Sequence, residues 1–160
     1  MALQKYLTIL LSAVAVSTAF TIGEEKNSGT TDFEDQKLSW ISIDEARSNM
    51  SLLIPSGIDL GRLPSYVARA EHLGEWVPGK AILGEAGDFY MYFSYEGQEH
   101  MRGDFQLLRI PIGVSSWVPS QRGEFHRLSV VAGQDPITKE ATHICRGWYD
   151  NGKLFMGRLL

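Results

Sequence analysis

The feature that most constrains this chain is an internal repeat. Trp40 stands 29 residues before Arg69, and Trp117 stands the same 29 before Arg146. Between these landmarks Gly57-Ile58-Asp59 matches Gly133-Gln134-Asp135, and Tyr66-Val67-Ala68-Arg69 matches His143-Ile144-Cys145-Arg146. Beyond them Gly79-Lys80-Ala81 matches Gly157-Arg158-Leu159, with one-residue insertions in the second copy. The copies lie about 77 residues apart, and a fixed period means one structural unit used twice. The second copy stops soon after Arg158, so nothing answers to residues 82–112 of the first. The chain reads as one full unit plus a partial one.

The unit is β-rich. After Trp40, Pro, Gly and Asp punctuate short apolar or alternating runs every 8–12 residues or so. Strands are expected at Tyr66–Ala70, Phe89–Tyr95, Phe105–Ile110, Leu128–Val131 and His143–Gly147. Phe89–Tyr95 is the clearest, because aromatic side chains suit a pleated, half-buried surface. Ile43–Leu53 suggests a short helix opening on Asp44-Glu45-Ala46-Arg47. Sixteen glycines in 160 residues exceed the usual share of ~7% and imply many turns. At 44% hydrophobic residues the chain has enough apolar material for a packed core. The 15 Lys+Arg against 19 Asp+Glu give a net charge of −4, which argues against nucleic acid as partner.

The N-terminus has a different character. Lys5 supplies a positive charge, Tyr6–Val16 is apolar apart from Thr8 and Ser12, and Ser17-Thr18-Ala19 offers small residues for cleavage. Residues 1–19 therefore read as a secretory signal peptide cut between Ala19 and Phe20. The apolar run is too short to span a ~30 Å hydrocarbon core, so no membrane span is expected. Residues 20–38 are polar, acidic and rich in Gly, Ser and Thr, and read as a flexible arm. The repeat units then occupy 39–112 and 113–160. Asn49-Met50-Ser51 fits a glycosylation sequon.

The single cysteine, Cys145, excludes an intrachain disulfide. In an exported protein it is either buried or open to an intermolecular bridge. Its alternating strand-like surroundings favour burial. The four histidines lack metal-ligand spacing, and no nucleophile, cofactor loop or spaced carboxylate pair marks an enzyme. No cofactor is expected.

Each copy places an Asp after a glycine in an expected turn, then a strand, then a Gly-cation pair at a second expected turn. These are Asp59 with Lys80, and Asp135 with Arg158. A carboxylate only accepts hydrogen bonds and an ammonium only donates, so together they can hold adjacent hydroxyls. That chemistry suits a sugar. The bland alternative makes both aspartates turn formers and Lys80 a solvated charge. Trp76 and Trp148 flank the two cation positions and are candidate stacking platforms.

Trp40, Gly57-Ile58-Asp59, Tyr66-Val67-Ala68-Arg69-Ala70, Pro78-Gly79-Lys80 and Tyr95-Glu96-Gly97-Gln98-Glu99-His100 occur in that order. The run resembles the DM9 repeat, well over residues 40–110 and in part over 117–160. The resemblance implies an all-β fold of tandem repeats related by a pseudo-twofold axis, with the second repeat truncated. It implies a secreted or cytosolic recognition protein, a mannose-binding lectin of innate immunity whose partners are glycans on microbial or host surfaces; with the leader-like N-terminus, the expectation is a secreted one. Sugar-binding residues carried over from the pattern are Asp59 and Lys80, with Asp135 matched and Arg158 in the lysine position. The missing end of the second repeat leaves two expectations: partner strands from another chain, as in a homodimer, or a compromised fold. The alternative function is a secreted protein-interaction module without sugar binding.

Overall fold

The computed structural model describes residues 17–22, 38–59, 62–110, 115–120, 124, 126–148 and 154–159. Most of the expected leader and of the expected arm, residues 1–16 and 23–37, lie outside the described residues. Among the described residues the protein is all-β with one short helix. The strands are β1 (Ser17–Ile22), β2 (Ser39–Ile41), β3 (Pro55–Ile58), β4 (Pro64–His72), β5 (Glu75–Leu83) and β6 (Phe89–Tyr95). They continue as β7 (Gln98–Arg102), β8 (Gln106–Arg109), β9 (Ser115–Ser120), β10 (Val131–Gln134), β11 (Ala141–Trp148) and β12 (Leu154–Leu159). Helix α1 (Ile43–Ser48) opens where the Ser42 hydroxyl accepts from the Glu45 amide at 3.2 Å, and Met50–Leu52 adds a 3-10 turn.

Two antiparallel sheets form. One runs β2-β8-β4-β5-β6-β7 with β3 beside β4, the other β10-β11-β1-β9 with β12 beside β11. Strand periodicity decides what each face buries. On β4, Val67 points into a core with Leu108, Ile144 and Met156, which joins the two sheets. Its neighbour Ala68 points the other way, onto Met91, Phe93, Leu107 and Ala46 of α1. Each large side chain fully withdrawn from water, Phe93 and Met91 among them, stabilises the fold by roughly 1.5–3 kcal/mol.

Arginine ties the sheets together reciprocally. Arg69 on β4 donates to the Ala132 carbonyl on β10 at 2.6 Å, and Arg146 on β11 donates to the Ser56 carbonyl on β3 at 2.5 Å. Arg69 also lies 4.4 Å from the ring centres of both Trp40 and Trp76, while Arg146 lies 4.2 Å from Trp117. The tryptophans and arginines that marked the repeat are thus stacked partners.

Three sequence expectations need correction. Pro78-Gly79-Lys80 is not a turn but the middle of β5, with Gly79 opposite Ala68 and Lys80 opposite Val67. Its glycine answers to close approach, because a Cβ there would come within 2.4 Å of the Tyr92 carbonyl oxygen. Gly157-Arg158 likewise lies in β12. Gly57-Ile58 ends β3 at a register shift rather than forming a turn, and a Cβ on Gly57 would meet Leu154 at 2.8 Å. Finally, Leu128–Val131 is mainly a turn and bridge, and its strand starts only at Val131.

The place beside β11 that corresponds to β8 beside β4 is taken by a strand from the N-terminal side of the chain. β1 lies between β11 and β9, and it takes in Phe20–Ile22, the start of the expected arm.

Candidate functional site

Lys80 reaches its place because β5 is a central strand, where Lys80 pairs with Val67 on β4 and Tyr92 on β6. Its side chain is only 4% exposed. A buried ammonium needs acceptors, since an unpaired charge in the interior is heavily penalised. It has two: Asp59 Oδ2 at 3.1 Å and the Leu154 carbonyl oxygen at 3.0 Å. These account for two of its three N–H donors. Asp59 follows directly on β3, and its amide donates to the carbonyl of Leu63, just ahead of β4, at 3.1 Å.

Lys80 also lines a cavity of about 220 Å³ between β6, the start of β7 and β12. Tyr92, Phe93, Phe155 and Met156 supply apolar walls, and Ser94, Gln98 and Glu99 supply polar groups. The volume lies below the roughly 300–1,000 Å³ of clefts for drug-sized ligands. Asp59 meets the ammonium without being among the residues that line the cavity.

The second pair is placed otherwise. Asp135 Oδ1 accepts from the amides of Ile137 and Thr138, both at 2.8 Å, closing its own turn. Those backbone hydrogen bonds, Thr138 foremost, hold its carboxyl below the ordinary range. Arg158 turns instead to Glu75, donating to both carboxylate oxygens at 2.7 and 2.6 Å. The structure therefore brings Asp59 and Lys80 into direct contact and commits Asp135 and Arg158 to different partners.

Glu75 has no counterpart in the sequence reading. Its carboxylate is 1% exposed and also takes a hydrogen bond from Tyr95. Burial, then that carboxylate, push the Tyr95 phenol above its ordinary range. Its one sequence signal is an acidic residue directly after Leu73-Gly74, where a tight hairpin starts β5. The Leu154 carbonyl is a backbone group and leaves no signal at all. Trp76 does not face the Lys80 cavity but stacks on Arg69, and Trp148 lies 5.2 Å from Arg146. Among the described residues no group of His, Cys, Asp and Glu could hold a metal ion. Cys145 is buried, as the alternation of its strand implied.

The described residues thus form a two-sheet β protein with a buried ammonium–carboxylate pair beside a small cavity. The model of the DM9 repeat family matches residues 59–160, so the chain belongs to that family, and the match spans Asp59, Lys80, Asp135 and Arg158. No curated protein and no solved structure matches the chain. Among the described residues no helix is long and apolar enough to cross a membrane.

Proposed function

We propose that this protein is a secreted carbohydrate-binding lectin of mannose-type specificity, acting in pattern recognition rather than catalysis. The observation that carries the reading is the Lys80 ammonium, held by Asp59 and Leu154 and lining a cavity sized for one sugar ring. Lys80 donates its third N–H to a ring hydroxyl, with Asp59 fixing the ammonium. Gln98 and Glu99 take further hydroxyls, and Phe155 offers an apolar wall to the C–H face of the ring. The resemblance to DM9-type lectins supports the same assignment. Export fits the leader-like residues at the N-terminus.

Few atoms contribute in so small a site, so single-site affinity is weak. Useful retention on a glycan-coated surface then comes from several sites per assembly, for instance in a homodimer.

The test is retention on immobilised mannan. Lys80→Met removes the donor but also leaves Asp59 without its cation, so thermal unfolding is followed beside it. Gln98→Ala and Glu99→Ala change exposed side chains and leave the fold intact. Loss of retention in these two with unaltered unfolding supports the site. Retention equal to the parent in all three places the sugar elsewhere, and no retention by the parent, alongside capture of a protein partner, favours an interaction module.

A further inference from the structure

β1 stands in the second sheet where β8 stands in the first, in the same register. Gln106 lies opposite Arg69, Leu107 opposite Ala68 and Ile41, and Leu108 opposite Trp40. In the second sheet Thr18 lies opposite Arg146, Ala19 opposite Cys145 and Val118, and Phe20 opposite Trp117. The landmarks of the repeat, Trp40 with Trp117 and Arg69 with Arg146, thus face equivalent positions of the two strands. The place that β8 holds beside β4 is thus held beside β11 by a strand from ahead of the first copy.

This placement bears on where a leader can be removed. A cut between Ala19 and Phe20 divides β1 in its middle. Ser17–Ala19 would leave with the leader, taking both pairs to β11 and three of the six pairs to β9, namely Ser17, Thr18 and Ala19. β1 is what joins β9 to β11, so the sheet would come apart at its centre. The backbone of Cys145 and Arg146 would then form an open edge, a template for unwanted pairing. A second set of small residues lies upstream. Ala13-Val14-Ala15 puts alanine at both −3 and −1 of a cut before Val16, after the seven residues Tyr6–Ser12, which are apolar apart from Thr8 and Ser12.

We propose that the leader is removed between Ala15 and Val16, which leaves Ser17–Ile22 in the mature chain as the strand that closes the second sheet. The proposal rests on the export reading above. It shifts the cut four residues upstream of the site that Ser17-Thr18-Ala19 suggests.

The full chain is expressed in a secreting eukaryotic host, and the N-terminus of the secreted product is read by sequencing and intact mass. A product starting at Val16 supports the proposal, and Ala15→Arg then abolishes or displaces the cut. A product starting at Phe20, or anywhere inside Ser17–Ile22, overturns it while leaving export intact. An uncut chain retained in cells overturns the export reading and this proposal with it. Ala19→Pro in the secreted chain reads the strand itself: it removes an N–H from a central strand and lowers Tm by several degrees. An unchanged Tm would show that the strand does not close the sheet.

Discussion

Glu75 and Arg158, 83 positions apart in sequence, meet through both oxygens of a carboxylate that is 1% exposed. The pair links β5 of one sheet to β12 of the other, so it reports on how the sheets are joined. Its two members are not equivalent, because the Arg158 side chain keeps 27% exposure and lies 5.3 Å from the Tyr95 ring.

Breaking the pair from either end therefore has unequal consequences. Arg158→Ala leaves a buried carboxylate with Tyr95 as its remaining described donor, a loss of about 3–5 kcal/mol. Glu75→Ala frees a guanidinium that can turn to water and the Tyr95 face, a loss of about 1–2 kcal/mol. Urea denaturation of both variants checks the difference. Equal losses would mean that the carboxylate is solvated in the folded protein.

The glycines of the repeated Gly-cation pair are expected to differ as well. A Cβ on Gly79 would sit 2.4 Å from the Tyr92 carbonyl oxygen, in a strand bonded on both sides. Gly79→Ala must push β5 from β6 and costs about 1–3 kcal/mol or more. A Cβ on Gly157 would meet only Cys145 Sγ at 3.6 Å, an ordinary contact, so Gly157→Ala changes stability by less than about 1 kcal/mol. Thermal unfolding of the two alanine variants decides this. A similar Tm for both would refute the close-approach account of Gly79.

Arg69 is the residue for which a conservative change should fail. Its guanidinium donates to Gln106 Oε1 at 2.9 and 2.8 Å and to the Ala132 carbonyl at 2.6 Å, between two indole rings. A planar fork can do all of this at once, and the compact ammonium of lysine cannot. Arg69→Lys is predicted to destabilise by about 2–4 kcal/mol, as expected when a buried hydrogen-bond network is broken. The expected signature is a lower denaturation midpoint together with altered tryptophan emission from Trp40 and Trp76. A midpoint within error of the parent would rule out the network as a stabilising element.

These residues also show what could be read before any coordinates. The β class, the burial of Cys145 and the strand Phe89–Tyr95 were all legible, because period-2 alternation and aromatic content act locally. The association of Asp59 with Lys80 was legible only as chemistry, from a donor and an acceptor kept in order along the repeat. That they bond directly, with Lys80 almost wholly buried, was not. Pro78-Gly79 misled because proline and glycine commonly mark turns. Here the first β5–β6 pair falls at Lys80, so Pro78 need not donate toward β6, and the glycine answers to a carbonyl on the next strand. The closing strand Ser17–Ile22 was hidden for another reason: its partners Val118 and Cys145 lie about a hundred residues away, and its own composition reads as a cleavage site.

Cys145 gives the pH prediction. Burial pushes its thiol from 9.0 up to about 11, partly opposed by a hydrogen bond from the Gly157 amide. The folded chain thus favours the neutral thiol more strongly than the unfolded chain does. Its contribution to stability is fully present below pH 9.0 and is lost as the pH rises toward about 11. A shift of this size corresponds to about 2–3 kcal/mol at the alkaline end. Other groups titrate there too, so the reading is the difference between the parent and Cys145→Ala. Denaturant midpoints are expected to run parallel below pH 9 and to fall more steeply for the parent above it. The same burial keeps the native thiol from reacting with an aromatic disulfide reagent at neutral pH until the protein unfolds. Immediate reaction in the native state, or parallel midpoints up to pH 11, would contradict a buried Cys145.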